Sequence, residues 1–161
     1  FIHDRSQSMG LQLKKITIEP GRSLINDSGS TLYRIGDIKE TVGGKKYLFV
    51  DGSMNDNIRP ALYQAKYEAA LVNRMEEKHT DVYTVAGKAC ESGDIIIENI
   101  SLAQAQSEDL LLVNGTGAYN YSMASNYNHI PIPAMVHINE GNYYLTVKRQ
   151  SHIDIIRNNI Q

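Results

Sequence analysis

Turn punctuation limits this chain's folding choices more than any other feature. Breaks recur roughly every ten residues, at Pro20-Gly21, Gly43-Gly44, Asp51-Gly52, Gly87, Ser92-Gly93, Asn114-Gly115, Pro131, Pro133 and Gly141-Asn142. The stretches between them are too short for long helices, and their apolar residues alternate or run together as strand residues do. Many short strands with regular turns and one late helix predict a mainly β chain, a sandwich or a barrel. At 161 residues the chain is long enough for one such domain with its own core.

Leu11, Leu13, Ile16 and Ile18 alternate up to Glu19-Pro20, which predicts a strand ending at the proline. Leu32, Tyr33, Ile35 and Ile38, then Gly43-Gly44, then Lys45 to Val50 predict a hairpin. Pro60 permits a helical turn over Arg59 to Tyr63 but no helix running through it. A strand follows through Glu68 to Val72, and residues 73–81 read as a polar connection with solvated charges. Val82 to Val85, Ile95 to Ile97 and Leu110 to Val113 read as buried strands, and a short helix or turn is expected near Met123. Ala134 to Ile138 pairs with Tyr143 to Lys148 across Gly141-Asn142. Ser151 with Asp154 opens a capping-box helix whose Ile153, Ile156 and Ile160 share a face. Phe1 to Arg5 carries no cap or turn signal, and a chain opening on Phe1 reads as the continuation of a longer one.

Charge narrows the function classes. With 16 basic and 18 acidic residues the net charge is -2, and no Lys/Arg cluster offers a nucleic-acid footprint. One cysteine cannot form an internal disulfide, which points to a reducing, cytoplasmic compartment. The apolar runs are far too short to span a bilayer, and no signal-peptide pattern is present.

Four loop stretches hold groups suited to an amino-acid site. They are Glu19-Pro20-Gly21-Arg22, Arg59-Pro60-Ala61-Leu62-Tyr63, Cys90-Glu91-Ser92-Gly93-Asp94, and Gly117-Ala118-Tyr119 with Ser122 to Asn128. Three of them have a plain reading: a half-buried Cys beside a surface Glu, a surface ion pair at Arg59, a simple turn at Gly21. The five histidines lie outside all four stretches, so no metal site is expected.

Together, in this order and spacing, the stretches resemble those of the diaminopimelate decarboxylase family of fold-type III pyridoxal-phosphate enzymes. The resemblance covers nearly the whole chain and implies an alanine-racemase-like architecture. Residues 1–22 would be the end of an N-terminal (β/α)8 barrel, including its last strand, and residues 23–161 the C-terminal β domain with a short terminal helix. It implies pyridoxal 5'-phosphate held mainly by the barrel, a homodimer with active sites at the subunit interface, and formation of L-lysine and CO2 from meso-2,6-diaminopimelate. By the same resemblance Cys90 is the proton donor and Glu91 binds the substrate's distal ammonium, both reaching into the neighbouring subunit's site. Arg22, Arg59 and Tyr63 would clamp the distal carboxylate. Tyr119 would touch substrate and cofactor phosphate, joined at the cofactor by Glu19, Gly21 and Arg22. Ser122 to Asn128 would support Tyr119. None of the nine lysines stands in the context of the family's Schiff-base lysine, so these residues alone are expected to be inactive. A related decarboxylase of ornithine, arginine or carboxynorspermidine is the alternative within the fold, and a non-catalytic β binding module the alternative outside it. The Arg59–Tyr63 clamp argues against the first, because those substrates lack a distal carboxylate. Retention of every site residue argues against the second.

Overall fold

Strands fall between the turns much as the punctuation requires. The computed structural model describes residues 1–160. Its elements are α1 (Ile2–Ser8), β1 (Ser30–Glu40), β2 (Lys46–Val50), α2 (Arg59–Tyr63), β3 (Ala69–Leu71) and β4 (Asp81–Ala86). There follow β5 (Ile95–Leu102), β6 (Leu110–Asn114), α3 (Asn120–Met123), β7 (Met135–Asn139), β8 (Asn142–Val147) and α4 (His152–Ile156).

Six strands form one sheet in the order β3-β6-β1-β2-β4-β5. All neighbours are antiparallel except β2 and β4, which run parallel. The edge strands β3 and β5 come into contact, so the sheet curls into a nearly closed barrel. Alternation along each strand sends every second side chain inward. Tyr33 and Ile35, Leu48 and Val50, Tyr83 and Val85, and Leu111 and Val113 thus meet Leu71, Ile96 and Leu102 in one core. Each large apolar side chain buried there contributes about 1.5–3 kcal/mol. At the β1–β2 turn Gly44 has φ +77, a conformation that glycine adopts without steric cost. β7 and β8 form a separate hairpin whose turn residues Glu140 and Gly141 both have positive φ, as a two-residue hairpin loop needs.

Three expectations need correction. Leu11 to Ile18 is not a strand: a strand needs a neighbour to complete its ladder, and none pairs with this segment among the described residues. Its apolar side chains are all exposed. Just before it lies α1, which has no side-chain cap and so left no signal in the sequence. Residues 73–81 are more than a solvated rim. Arg74 Nε donates to buried Asp109 at 2.8 Å, Asn73 Nδ2 donates to the same carboxylate at 2.6 Å, and Lys46 pairs with Asp81. Burial pushes the Asp109 carboxyl up, but Arg74, the Gln106 N–H and Asn73 together hold it below the usual carboxylate range.

Candidate active site

The first group of site residues is built around Arg59. The loop before α2 is locked from within: Ser53, Asn55 and Asn57 are buried, and Asp56 Oδ1 accepts the Ser53 N–H at 2.9 Å. The Tyr33 hydroxyl donates to the other oxygen of Asp56. Burial raises the Asp56 carboxyl, with the Tyr33 and Ser53 donors pulling the other way. Pro60 sits in the first turn of α2, where a missing N–H costs nothing, so the helix starts directly at Arg59. The Arg59 guanidinium carbon lies 5.3 Å from the Tyr63 ring centroid and 5.5 Å from that of Tyr119. These are cation–π distances. Arg59 Nε is buried and has no hydrogen-bond partner among the described residues. Leaving such a donor unsatisfied costs about 1–3 kcal/mol, so the site is short of an acceptor.

Close backbone packing delivers Tyr119 to this group. A Cβ on Gly117 would lie 2.0 Å from the Ile25 carbonyl oxygen, and the Gly117 N–H donates to the Asn26 carbonyl at 3.0 Å. The 117–119 segment is therefore pressed onto residues 25–29. Tyr119 itself is left-handed, with φ 71, at the entry to α3. Its hydroxyl would be 2.9 Å from a Cβ on Gly21, so the phenol rests against bare backbone there. Gly21, Arg59, Tyr63 and Tyr119 are thus brought together. Arg22 stands next to Gly21, and its Nη1 donates to Asn26 Oδ1 at 3.3 Å. Glu19 is exposed and makes no side-chain hydrogen bond or ion pair among the described residues.

The second group is the loop between β4 and β5. Asp94, buried at its end, accepts the Met54 N–H at 2.6 Å and the Ala89 N–H at 2.7 Å. Gly87 makes room for that carboxylate; a Cβ there would lie 2.3 Å from Asp94 Oδ2. Burial raises the Asp94 carboxyl, and the two backbone donors oppose the shift. Cys90 is exposed, not half-buried as the plain reading of it would have it. Its N–H donates to Asn128 Oδ1 at 2.8 Å. The Tyr127 hydroxyl donates to Glu91 Oε2 at 3.1 Å, and that carboxylate pushes the Tyr127 phenol above its ordinary value. Residues 122–128, expected to support Tyr119, thus also hold Cys90 and Glu91. Asn55 lies outside the four stretches, and Asp94, Tyr127 and Asn128, though inside them, carry no expected contact with Cys90 or Glu91. Their partners lie up to 72 residues away, and nothing in local spacing marks such pairs.

Hydrogen bonds tie the loop before α2 to the second group, from the Met54 N–H to Asp94 and from Asn55 Nδ2 to the Tyr127 carbonyl, but among the described residues none joins Arg59, Tyr63 or Tyr119 to Cys90 or Glu91. One group can grip an anion between aromatic rings. The other offers a thiol and a carboxylate at an exposed loop.

Residues 23–117 match the family described as pyridoxal-dependent decarboxylase, C-terminal sheet domain. The chain is 52% identical over 156 residues to the diaminopimelate decarboxylase of Bacillus subtilis, covering 97% of this chain and 36% of that protein. It is 48% identical over 151 residues to the enzyme of the same name from Staphylococcus aureus, covering 93% of this chain and 36% of the relative. The crystal structure of diaminopimelate decarboxylase from M. jannaschii in complex with L-lysine superposes with a TM-score of 0.84 at 31% identity. That match covers 99% of this chain and 36% of the solved one. The chain therefore spans about a third of the length of the relatives it matches.

Proposed function

We propose that this chain, which belongs to the pyridoxal-dependent decarboxylase family as its C-terminal sheet domain, supplies substrate-binding and proton-returning groups for the decarboxylation of meso-2,6-diaminopimelate to L-lysine and CO2. Residues 1–22 belong in this reading to the end of the N-terminal barrel and residues 23–161 to the β domain. The observation that carries it is Arg59, framed by two tyrosine rings with a buried Nε awaiting an acceptor. A substrate carboxylate supplies that acceptor, and a guanidinium fork fixes its plane.

Each residue then has a task. Arg59 and Tyr63, with Arg22, hold the distal carboxylate. Glu91 binds the distal ammonium by a charge-assisted contact. The Cys90 thiol, exposed and without a side-chain hydrogen bond among the described residues, returns a proton to Cα after carboxylate loss. The cofactor fits one edge of the first group: the Tyr119 hydroxyl lies against the Gly21 backbone with no side chain between them, and Arg22 adjoins it. Gly21, Arg22 and Tyr119, with Glu19 beside them, would hold the pyridoxal 5'-phosphate at its phosphate. When bound, the cofactor supplies the sink for the electron pair that decarboxylation releases.

Within one chain no hydrogen bond or ring contact among the described residues links Arg59 to Cys90 or Glu91, which fits the proposed homodimer in which Cys90 and Glu91 serve the partner's Arg59 group. No helix among the described residues is long and apolar enough to cross a membrane; a cytoplasmic location is part of the proposal. The test is steady-state kinetics of the whole enzyme with diaminopimelate and with ornithine, following CO2 and product amino acid. A site that needs a distal carboxylate should favour diaminopimelate by about 10⁴-fold, as sites built for a polar group do. Equal or reversed preference would assign the site to another amino-acid decarboxylase.

A further inference from the structure

We propose that Tyr127 and Asn128 are positioning residues, an adjacent pair that fixes the adjacent pair Cys90-Glu91. The inference rests on the roles proposed above for Cys90 and Glu91, and it adds what sets their geometry. Cys90 and Glu91 occupy an exposed loop whose turn is closed by the Glu91 N–H on the Ala89 carbonyl at 2.8 Å and the Asp94 N–H on the Glu91 carbonyl at 3.1 Å, while their side chains remain exposed. Two hydrogen bonds from one short segment restrain them: Asn128 Oδ1 on the Cys90 N–H at 2.8 Å, and the Tyr127 hydroxyl on Glu91 Oε2 at 3.1 Å.

The segment that makes these contacts is itself held from both sides. Asn55, 2% exposed in the core loop, donates from Nδ2 to the carbonyls of Ser125 at 3.2 Å and Tyr127 at 2.5 Å, and its own carbonyl accepts the Ser125 N–H at 2.9 Å. Asn126 Nδ2 donates to the Ile130 carbonyl at 2.9 Å and to Gln150 Oε1 at 2.7 Å. Between these anchors Asn128 and His129 are both left-handed, with φ 54 and 57. Two successive non-glycine residues in that region are costly, and such strain persists only where the surroundings dictate it. Asparagine tolerates the conformation best, and it also offers the acceptor that the Cys90 amide needs.

Glu91 shows the consequence for binding. Tyr127 occupies Oε2, while Oε1 has only the Ser92 hydroxyl at 3.5 Å and the Gly93 N–H at 3.4 Å, both long. Oε1 is therefore the oxygen left for a substrate ammonium, and Tyr127 decides which way it points.

The test uses the full-length, cofactor-loaded enzyme with diaminopimelate. Tyr127→Phe should raise KM about fivefold while kcat stays within about twofold, since only Glu91 loses its partner. Asn128→Ala should lower kcat about tenfold with KM nearly unchanged, and Asn128→Asp, which keeps an acceptor oxygen, should restore it. Alkylation of Cys90 by iodoacetamide, followed by peptide mass, should change rate about threefold or more in Asn128→Ala and revert in Asn128→Asp. In a Glu91→Gln background, itself raised in KM, Tyr127→Phe should add less than about twofold. If Tyr127→Phe and Asn128→Ala instead shift kcat and KM together, or lower only Tm, the positioning role is wrong and the Glu91 assignment stands on its own KM effect. If Glu91→Gln leaves KM unchanged, the proposed substrate contact fails first, and the role of Tyr127 fails with it.

Discussion

The Arg59 group and the Cys90 group are held in place by opposite means. Arg59, half-buried, is held by packing: a locked loop, a proline-started helix and two aromatic rings leave its Nε buried and without a partner among the described residues. Cys90 and Glu91 are exposed and fixed by hydrogen bonds from a distant segment. Partial burial suits a binding clamp, because a cation gains more from its anion where neighbouring side chains displace water. Exposure suits the reach into a partner subunit proposed for Cys90 and Glu91. Arg59 should therefore act on KM and Cys90 on kcat, while Glu91, the proposed ammonium contact of the exposed group, acts on KM as Arg59 does.

The largest effect should come from the exposed group. Cys90→Ala in the whole enzyme should lower kcat by about 10²–10⁴-fold, the usual range for losing a proton donor, and leave KM nearly unchanged. Unchanged turnover would remove Cys90 from that role. Mixing this variant with one inactivated elsewhere in the enzyme should restore part of the activity through hybrid dimers. Failure to do so, with subunit exchange demonstrated, would return both groups to one chain.

Next comes the buried group. Arg59→Ala should weaken diaminopimelate binding by about 2–5 kcal/mol, the loss expected when one partner of a desolvated charge pair is removed. Cofactor affinity, read from its absorbance on titration, should change little. A KM rise below threefold would break the contrast, since the enclosed cation would then not be a clamp.

A lesion outside both groups supplies the control. Asp109 is buried and joins Asn73, Arg74 and the Gln106 N–H. Its folded pKa lies below the ordinary carboxylate value, so its contribution to stability is fully present above that ordinary value. It is lost as pH falls through the lower, folded one. Asp109→Asn should lower stability at neutral pH by about 1.5–3 kcal/mol and flatten the acid limb of a Tm-against-pH curve. Neither kinetic constant should move. A change in KM would mean that the scaffold is coupled to the clamp.

Legibility followed the range of the interaction. Gly43-Gly44 and Gly141 sit between strands that they bring together, so both hairpins could be read locally. The Ser151–Asp154 capping box could be read for the same reason. Leu11 to Ile18 alternates just as well, yet alternation records an apolar face and not a neighbour to pair with. Met135 to Val147 repeats the lesson: the hairpin forms, but Ile138, Tyr143 and Leu145 stay exposed. In the site, Arg59, Tyr63, Tyr119 and Gly21 could be named by resemblance because they stand in compact stretches. Asn128 could not be paired with Cys90, 38 residues away, because their bond depends on two loops meeting across the end of the sheet.

The smallest effect separates two ways in which Tyr63 can serve the buried group. Its ring lies under the Arg59 guanidinium, while the residue itself is mostly exposed. Tyr63→Phe keeps the ring and removes only the hydroxyl. If the phenol also touches the substrate carboxylate, the loss should be about 0.5–1.5 kcal/mol, a KM rise of up to roughly tenfold. If only the ring matters, Tyr63→Phe should match the parent enzyme, and Tyr63→Ala alone should raise KM, by the roughly 0.5–1 kcal/mol of an exposed cation–π contact. The resemblance assigns Tyr63 to the substrate, which requires the first outcome. Wild-type KM in Tyr63→Phe, with a raised KM in Tyr63→Ala, would reduce Tyr63 to a support for Arg59 and leave the guanidinium as the clamp's working part.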